Sequence, residues 1–464
     1  MKRGLSAVAL LGALVIGVVA PVAVAKTYTQ HPAVGPKGLK FYSPGKLPVG
    51  PHGKLIWERP MTGGVSLKGA KNYLVDYKQV GVRGTMVPVS GLVAIPTGKV
   101  PKGGWPVITW AHGTTGVADV CAPSRFLAGT AGLNVPMLEG WIKAGYAVVR
   151  TDYEGLGGPG PHPYLIGVSE GRGVLDIVRA ARQLDPQLSD RVVISGHSQG
   201  GHAALWAASL VKRYTPEIKL RGVLAFAPAS HLATEAGFLK SVPATSLTGL
   251  AATIFRGLDV GHPSLHISSL LTSQAAALYP QTLTKCLGQL DKPDSFGGLP
   301  LNQLVKPAAD ISAAVNDLQK NDSGELKIGA PVLLEQGSSD TTVLPPFTAA
   351  LAKSLAGVGD TVTEHTFAGA THGTVLIAAQ ADQVAFLKKR FGRLTRRHAP
   401  AGPPRSAAPQ KGVSRRPLRL AGTIRRLNPT ARPGGWVSAA PRDDRIHLAV
   451  RKAAISFATY RRSA

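Results

Sequence analysis

At 464 residues, 44% hydrophobic and 17% charged, the chain has enough material for a large buried core and room for two or three domains. It shows no repeat at a period of about 20–50 residues, no heptads and no second long apolar run, which sets aside solenoids, coiled coils and multi-span membrane proteins. The net charge of +27 is concentrated at one end, because residues 393–464 carry 17 Lys and Arg against only Asp443 and Asp444.

The N-terminus opens with Lys2 and Arg3, continues apolar from Leu5 to Ala20 and reaches Ala23-Val24-Ala25 before Lys26. That order of positive, apolar and small residues predicts a signal peptide over residues 1–25 and a secreted protein; an uncleaved membrane anchor is the alternative. Residues 26–60 are rich in Pro and Gly and read as a lead-in without clear periodicity. Strand-like runs then appear at 73–80, 88–95, 107–111, 146–150, 191–195, 222–226, 331–336 and 361–367. Val174, Ile177, Val178, Ala181 and Leu184 recur at helical spacing, and 201–213 and 374–389 are helix-like. Strands alternating with helices predict an α/β fold with a mostly parallel central sheet covered on both faces.

Residues 230–328 break the alternation. They hold many Ala, Leu and Ser and no convincing strand, which predicts a helical cap inserted between two parts of a core, 26–229 and 329–392. The tail, 393–464, is basic and rich in Pro, Ala and Gly, and is expected to be disordered because it cannot bury enough apolar surface to offset chain entropy. A basic arm on an exported protein suits an anionic envelope better than nucleic acid; a solvated extension without a partner is the alternative. Cys121 and Cys286 are the only cysteines. Export favours their pairing over two buried thiols, and such a link would close a loop of about 165 residues and contribute roughly 5 kcal/mol in the chain-entropy model. No Cys or His cluster has metal-ligand spacing, so no metal is expected.

The most informative stretch is Gly196-His197-Ser198-Gln199-Gly200, with the β-branched run Val192-Val193-Ile194 before it and Ala-rich sequence after it. Gly-x-Ser-x-Gly between a strand and a helix is a nucleophile elbow: the turn exposes the serine hydroxyl, and the new helix aims N–H groups at an oxyanion. A serine needs a base, and the base an orienting carboxylate, in the order Ser, acid, His. Asp340, in the Gly337-Ser338-Ser339-Asp340 turn after a strand, is the expected acid; Asp360 is the rival but precedes a strand. The expected base is His372, in a loop between the last strand and a helix. His202 lies in the elbow helix, His231, His262 and His266 fall in the cap region, and His365 lies inside a strand. The oxyanion hole is expected from the N–H of Gln199 and the backbone of Gly113 and Thr114, in the loop His112-Gly113-Thr114-Thr115-Gly116 after an early strand. Asp152 and Glu154 shape the site from behind or anchor a loop.

Taken together, these segments resemble the secretory lipase family of fungi and actinobacteria, over roughly residues 41–390. The specific signatures are Asp119-Val120-Cys121-Ala122-Pro123-Ser124 and Asp152-Tyr153-Glu154-Gly155, with Gly140-Trp141, Gly145-Tyr146-Ala147-Val148-Val149, the elbow, and the Ser339-Asp340 and Thr371-His372 turns. The resemblance implies an α/β-hydrolase core with a helical cap, acting without a cofactor on acylglycerols or simpler esters, at a lipid–water interface where the substrate is insoluble. It also implies that Cys121 pairs with a cap cysteine, which here can only be Cys286. Fungal members resemble Tyr-Glu-Asp at the oxyanion loop, where this chain has His112-Gly113-Thr114-Thr115. The expected activity is therefore that of a secreted lipase or esterase with Ser198, Asp340 and His372 as its triad. Acyl transfer to an envelope glycolipid or sugar, and a non-catalytic envelope-binding protein on the same scaffold, are the alternatives.

Overall fold

The computed structural model describes residues 32–125 and 134–392. The expected signal peptide and basic tail lie outside the described residues. The chain divides into Met1–His31 and Pro32–Ala464, and all described residues belong to the second unit.

Among the described residues nine strands form one sheet: Leu55–Met61 (β1), Ala70–Val80 (β2), Met86–Pro96 (β3), Trp105–Ala111 (β4), Ala147–Thr151 (β5), Leu188–His197 (β6), Lys219–Phe226 (β7), Val332–Gly337 (β8) and Val362–Phe367 (β9). Their spatial order is β1-β2-β3-β5-β4-β6-β7-β8-β9. β2 and β3 pair as a hairpin in unbroken register from Ala70–Pro96 to Val80–Met86, and β3 meets β5 antiparallel; from β5 to β9 every pairing is parallel. Every residue of β4, β5 and β8 is buried, as continuous apolar strands covered on both faces must be.

Strand periodicity sorts the core into two layers. Val107 and Ala111 face one way, into a cluster with Val178 and Ala207; Ile108 and Trp110 face the other way, against Leu138, Trp141 and Leu387. The first layer is covered by Gly167–Leu184 (α2) and Gln199–Tyr214 (α3), the second by Val135–Lys143 (α1) and the C-terminal helices.

The inserted cap runs between β7 and β8. It contains the helices Leu232–Gly237 (α4), Thr248–Gly261 (α5), Ile267–Leu270 (α6), Ser273–Leu278 (α7), Leu287–Leu290 (α8) and Ser312–Lys320 (α9), joined by 3-10 turns and a single bridge, Leu271–Val305. Phe255, Leu258, Phe296 and Leu304 give it a buried cluster of its own, which includes Val117 and Tyr164 from the core. Cys121 and Cys286 form the disulfide that ties cap to core, with Cα atoms 5.4 Å apart. After β8 come Pro345–Gly357 (α10), Val375–Ala378 (α11) and Gln380–Phe391 (α12).

Three sequence expectations change. The lead-in, 26–60, contains most of an edge strand, β1, in which Pro60 and a mostly half-buried pattern hide the alternation. The helix expected over 374–389 is two helices separated at Ala379. α1 and α10 were not foreseen; each starts with Pro in its first turn, and α1 has Gly140 inside it. No helix among the described residues is long and apolar enough to cross a membrane.

Candidate active site

Ser198 stands alone between β6 and α3, with φ 58° and ψ −120°. A non-glycine residue held there costs about 1–3 kcal/mol and must be over-determined by its surroundings. It is: its N–H donates to the Phe226 carbonyl at 2.9 Å, and its own carbonyl accepts from the N–H groups of His202 and Ala229, both at 3.1 Å. The flanking glycines are sterically required. A Cβ on Gly196 would lie 2.0 Å from the Gly200 carbonyl oxygen, and one on Gly200 2.0 Å from that of Ala111. The N–H of Gln199 opens the first turn of α3, where helical N–H groups lack internal partners.

Asp340 leaves the end of β8 and is 3% exposed. One carboxylate oxygen, Oδ1, accepts from the N–H groups of Thr342 and Val343 at 2.8 and 3.0 Å. The other, Oδ2, accepts from Gln336 Nε2 at 3.1 Å and from His372 Nδ1 at 2.7 Å. Burial pushes the carboxyl up, but the His372 hydrogen bond and charge and the two backbone donors outweigh it and hold the group below its ordinary value. With Nδ1 donating to Asp340, Nε2 is the His372 nitrogen left to take up a proton. His197, inside the elbow, donates from Nε2 to the His372 carbonyl at 2.7 Å; burial, then the nearby charge of His372, push His197 down to about 3, so it stays neutral.

Ser198, His372, Gly113 and Thr114 line one cavity of about 340 Å³. Gly113 sits against the elbow, since a Cβ there would be 3.6 Å from the Ser198 Cβ. Its loop is fixed from several sides. Tyr153 donates its hydroxyl to the His112 carbonyl at 3.0 Å, Thr114 Oγ1 shares a 2.6 Å hydrogen bond with Tyr164, and Leu287 of the cap donates its N–H to Thr115. Leu232, Leu250 and Ile254 of the cap make the far wall apolar. Glu235 of α4 also lines the cavity; burial, then the negative charges of Asp322 and Asp340, push it up to about 8.

Beneath the elbow lies a polar network that no sequence motif signals. Glu170 is fully buried and accepts from Leu165 N–H at 2.9 Å, from Gln199 Nε2 at 2.8 Å and from His202 Nδ1 at 3.0 Å. His202 also donates from Nε2 to the Asn321 carbonyl at the end of α9, at 2.7 Å. Both ring nitrogens therefore carry protons, and His202 is an imidazolium paired with a carboxylate. For both groups burial opposes the charge, but their mutual hydrogen bond and attraction win, raising His202 and lowering Glu170. The second N–H of the Gln199 amide donates to His162 Nε2 at 2.9 Å, and His162 Nδ1 donates to the Glu154 carbonyl at 2.8 Å.

The rivals find other work. Asp360 accepts the N–H groups of Ile328 and Gly329, both at 2.8 Å, and anchors the segment leading into β8. Asp152 accepts from Ser90 Oγ at 2.6 Å and from Ser124 N–H at 2.9 Å and its hydroxyl, which joins the two most specific sequence signatures. Glu154 accepts the Val82 N–H at 2.8 Å and the Ser169 hydroxyl. Both are loop anchors, and His365 lies on β9, bonded to Asp382.

Among known proteins, the profile of the family described as Secretory lipase matches residues 122–396. Lipase A of Moesziomyces aphidis is 32% identical over 213 residues, which cover 42% of this chain and 42% of that protein. A Mycobacterium tuberculosis protein named a probable inactive lipase is 25% identical over 312 residues, 62% of this chain and 66% of that one. The matched regions thus span less than two thirds of these relatives. In three dimensions, Candida antarctica lipase A aligns with a TM-score of 0.62 at 24% identity, over 74% of this chain and 83% of that one. The rice cell wall degrading esterase LipA of Xanthomonas oryzae aligns with a TM-score of 0.62 at 21% identity, over 74% of this chain and 100% of its own. The fold is that of the α/β-hydrolases.

Proposed function

The chain belongs to the secretory lipase family, and from that premise we propose that it is a secreted carboxylic-ester hydrolase that works through an acyl-enzyme. Ser198 Oγ attacks the ester carbonyl carbon while His372 Nε2 takes its proton. Asp340 holds the Nδ1–H and stabilises the imidazolium that forms. The developing oxyanion is bound by the N–H of Gln199 and by the Gly113–Thr114 backbone. His372 then returns the proton to the leaving alcohol oxygen, and the same steps run with water to release the acid. The observation that carries this reading is the 2.7 Å hydrogen bond from His372 Nδ1 to a buried Asp340, with Ser198 strained on the wall of the same cavity.

The apolar cap wall is the seat of the acyl chain, which favours acylglycerols or simpler esters as substrates. Secretion is supported by residues 1–25 and by the disulfide, which an oxidising compartment preserves. Ser198→Ala should lower turnover of p-nitrophenyl esters by roughly 10⁴–10⁶-fold with an unchanged melting curve. Retained turnover would overturn the assignment. A non-catalytic scaffold is the second reading, favoured by the mycobacterial relative named a probable inactive lipase. A fluorophosphonate probe separates the two: labelling that disappears in Ser198→Ala supports the enzyme, and an unlabelled wild type supports the scaffold.

A further inference from the structure

Glu335 is 0% exposed, and among the described residues neither of its carboxylate oxygens has a hydrogen-bond partner. It lies on β8 between Phe226 of β7 and His365 of β9 in the strand register, facing the same layer as Leu333. Leaving a carboxyl bare in such a place costs at least about 1–3 kcal/mol, so the exception needs an explanation. A neutral carboxyl does not supply one, because its O–H and C=O would still be unpartnered.

The surroundings do. His365 on β9 and Asp382 on α12 pair with each other, Nδ1 to Oδ2 at 2.7 Å, and are 46% and 37% exposed. Ligand atoms of Glu335, His365 and Asp382 all lie within 4.8 Å of one another. We propose that these three side chains form a zinc site at the β9 edge of the sheet. Two carboxylates neutralise the cation, and the imidazole selects zinc over calcium or magnesium, which favour oxygen alone. Zinc bonds of about 2.0–2.2 Å would replace the present hydrogen bond between His365 and Asp382 and draw both side chains toward Glu335. The sequence expectation of no metal rested on Cys and His spacing, which cannot register ligands from two strands and a helix. The ion would clamp the strands that lead into the Asp340 and His372 turns, on the layer packed by α12.

The test needs no ester substrate, so its result is independent of the proposed hydrolysis. The full chain, without an affinity tag and stripped by chelator, is titrated with ZnCl₂ by calorimetry, and its melting point is followed. One zinc ion per chain and a raised melting point are expected. Glu335→Gln and Asp382→Asn should each weaken binding by about tenfold or more. Asp382 is exposed, so its variant reads the ligand without disturbing the core. The proposal fails if wild type binds no zinc below a Kd of about 100 µM, or if both variants bind as tightly as wild type.

Discussion

Two fully buried glutamates divide the molecule. Glu170, under the elbow, accepts three hydrogen bonds and faces an imidazolium; Glu335, between β7 and β9, accepts none from the described residues. Equal depth leaves the first ionised, below its ordinary value, and pushes the second up to about 8. Partners, not depth, decide the charge of a buried acid. The difference also sorts the regions by role. The elbow is finished by the chain's own side chains, as a rigid support for Gln199 should be, while Glu335 at the outer edge finds no hydrogen-bond partner among the described residues.

The comparison breaks most severely at Glu170. Glu170→Gln should leave the His202 imidazolium unpaired and the Gln199 amide with a poorer acceptor, and cost about 3–5 kcal/mol in chemical denaturation. A loss well under 1 kcal/mol would mean that the network does not hold the elbow. At the other pole, Glu335→Met in metal-stripped protein should raise stability by about 1 kcal/mol, because it removes an unpartnered carboxyl. A fall of that size would reveal a hidden partner.

The smallest effect is a slope. His202 is raised above its ordinary 6.5, so the stability it contributes is full below that pH and is lost as pH rises through the higher folded value. Glu170 is lowered from 4.5, so its contribution is present above that pH and lost only in stronger acid. The pair is therefore at full strength between about pH 4.5 and 6.5. Melting points of wild type should fall more steeply from pH 6.5 to 9 than those of His202→Asn. Parallel curves would assign the slope to other groups.

Eight of the nine strands and the helical cap were legible, because buried parallel strands are short unbroken apolar runs and the cap is a long stretch without one. β1 was not legible, since an edge strand with Pro60 carries no such run. Ser198, Asp340 and His372 were singled out by a motif and by strand-end positions, and the folded chain brings Asp340 against His372 and both Ser198 and His372 onto one cavity. His162, Glu170 and Glu235 passed unnoticed, and His202 was noted only for its place in the elbow helix. Nothing in the neighbouring residues of any of them indicates a partner.

What the sequence by itself determined is local: the Gly-x-Ser-x-Gly turn, where no Cβ fits at Gly196 or Gly200, and the order of strands and turns that follow it. Tertiary structure alone decided which polar groups meet. Gln199 bonds Glu170, Glu170 bonds His202, and His202 bonds Asn321 across 119 positions of chain. Charge and hydrogen bonding depend on distance in space and on the exclusion of water, and a sequence specifies neither until the chain has folded.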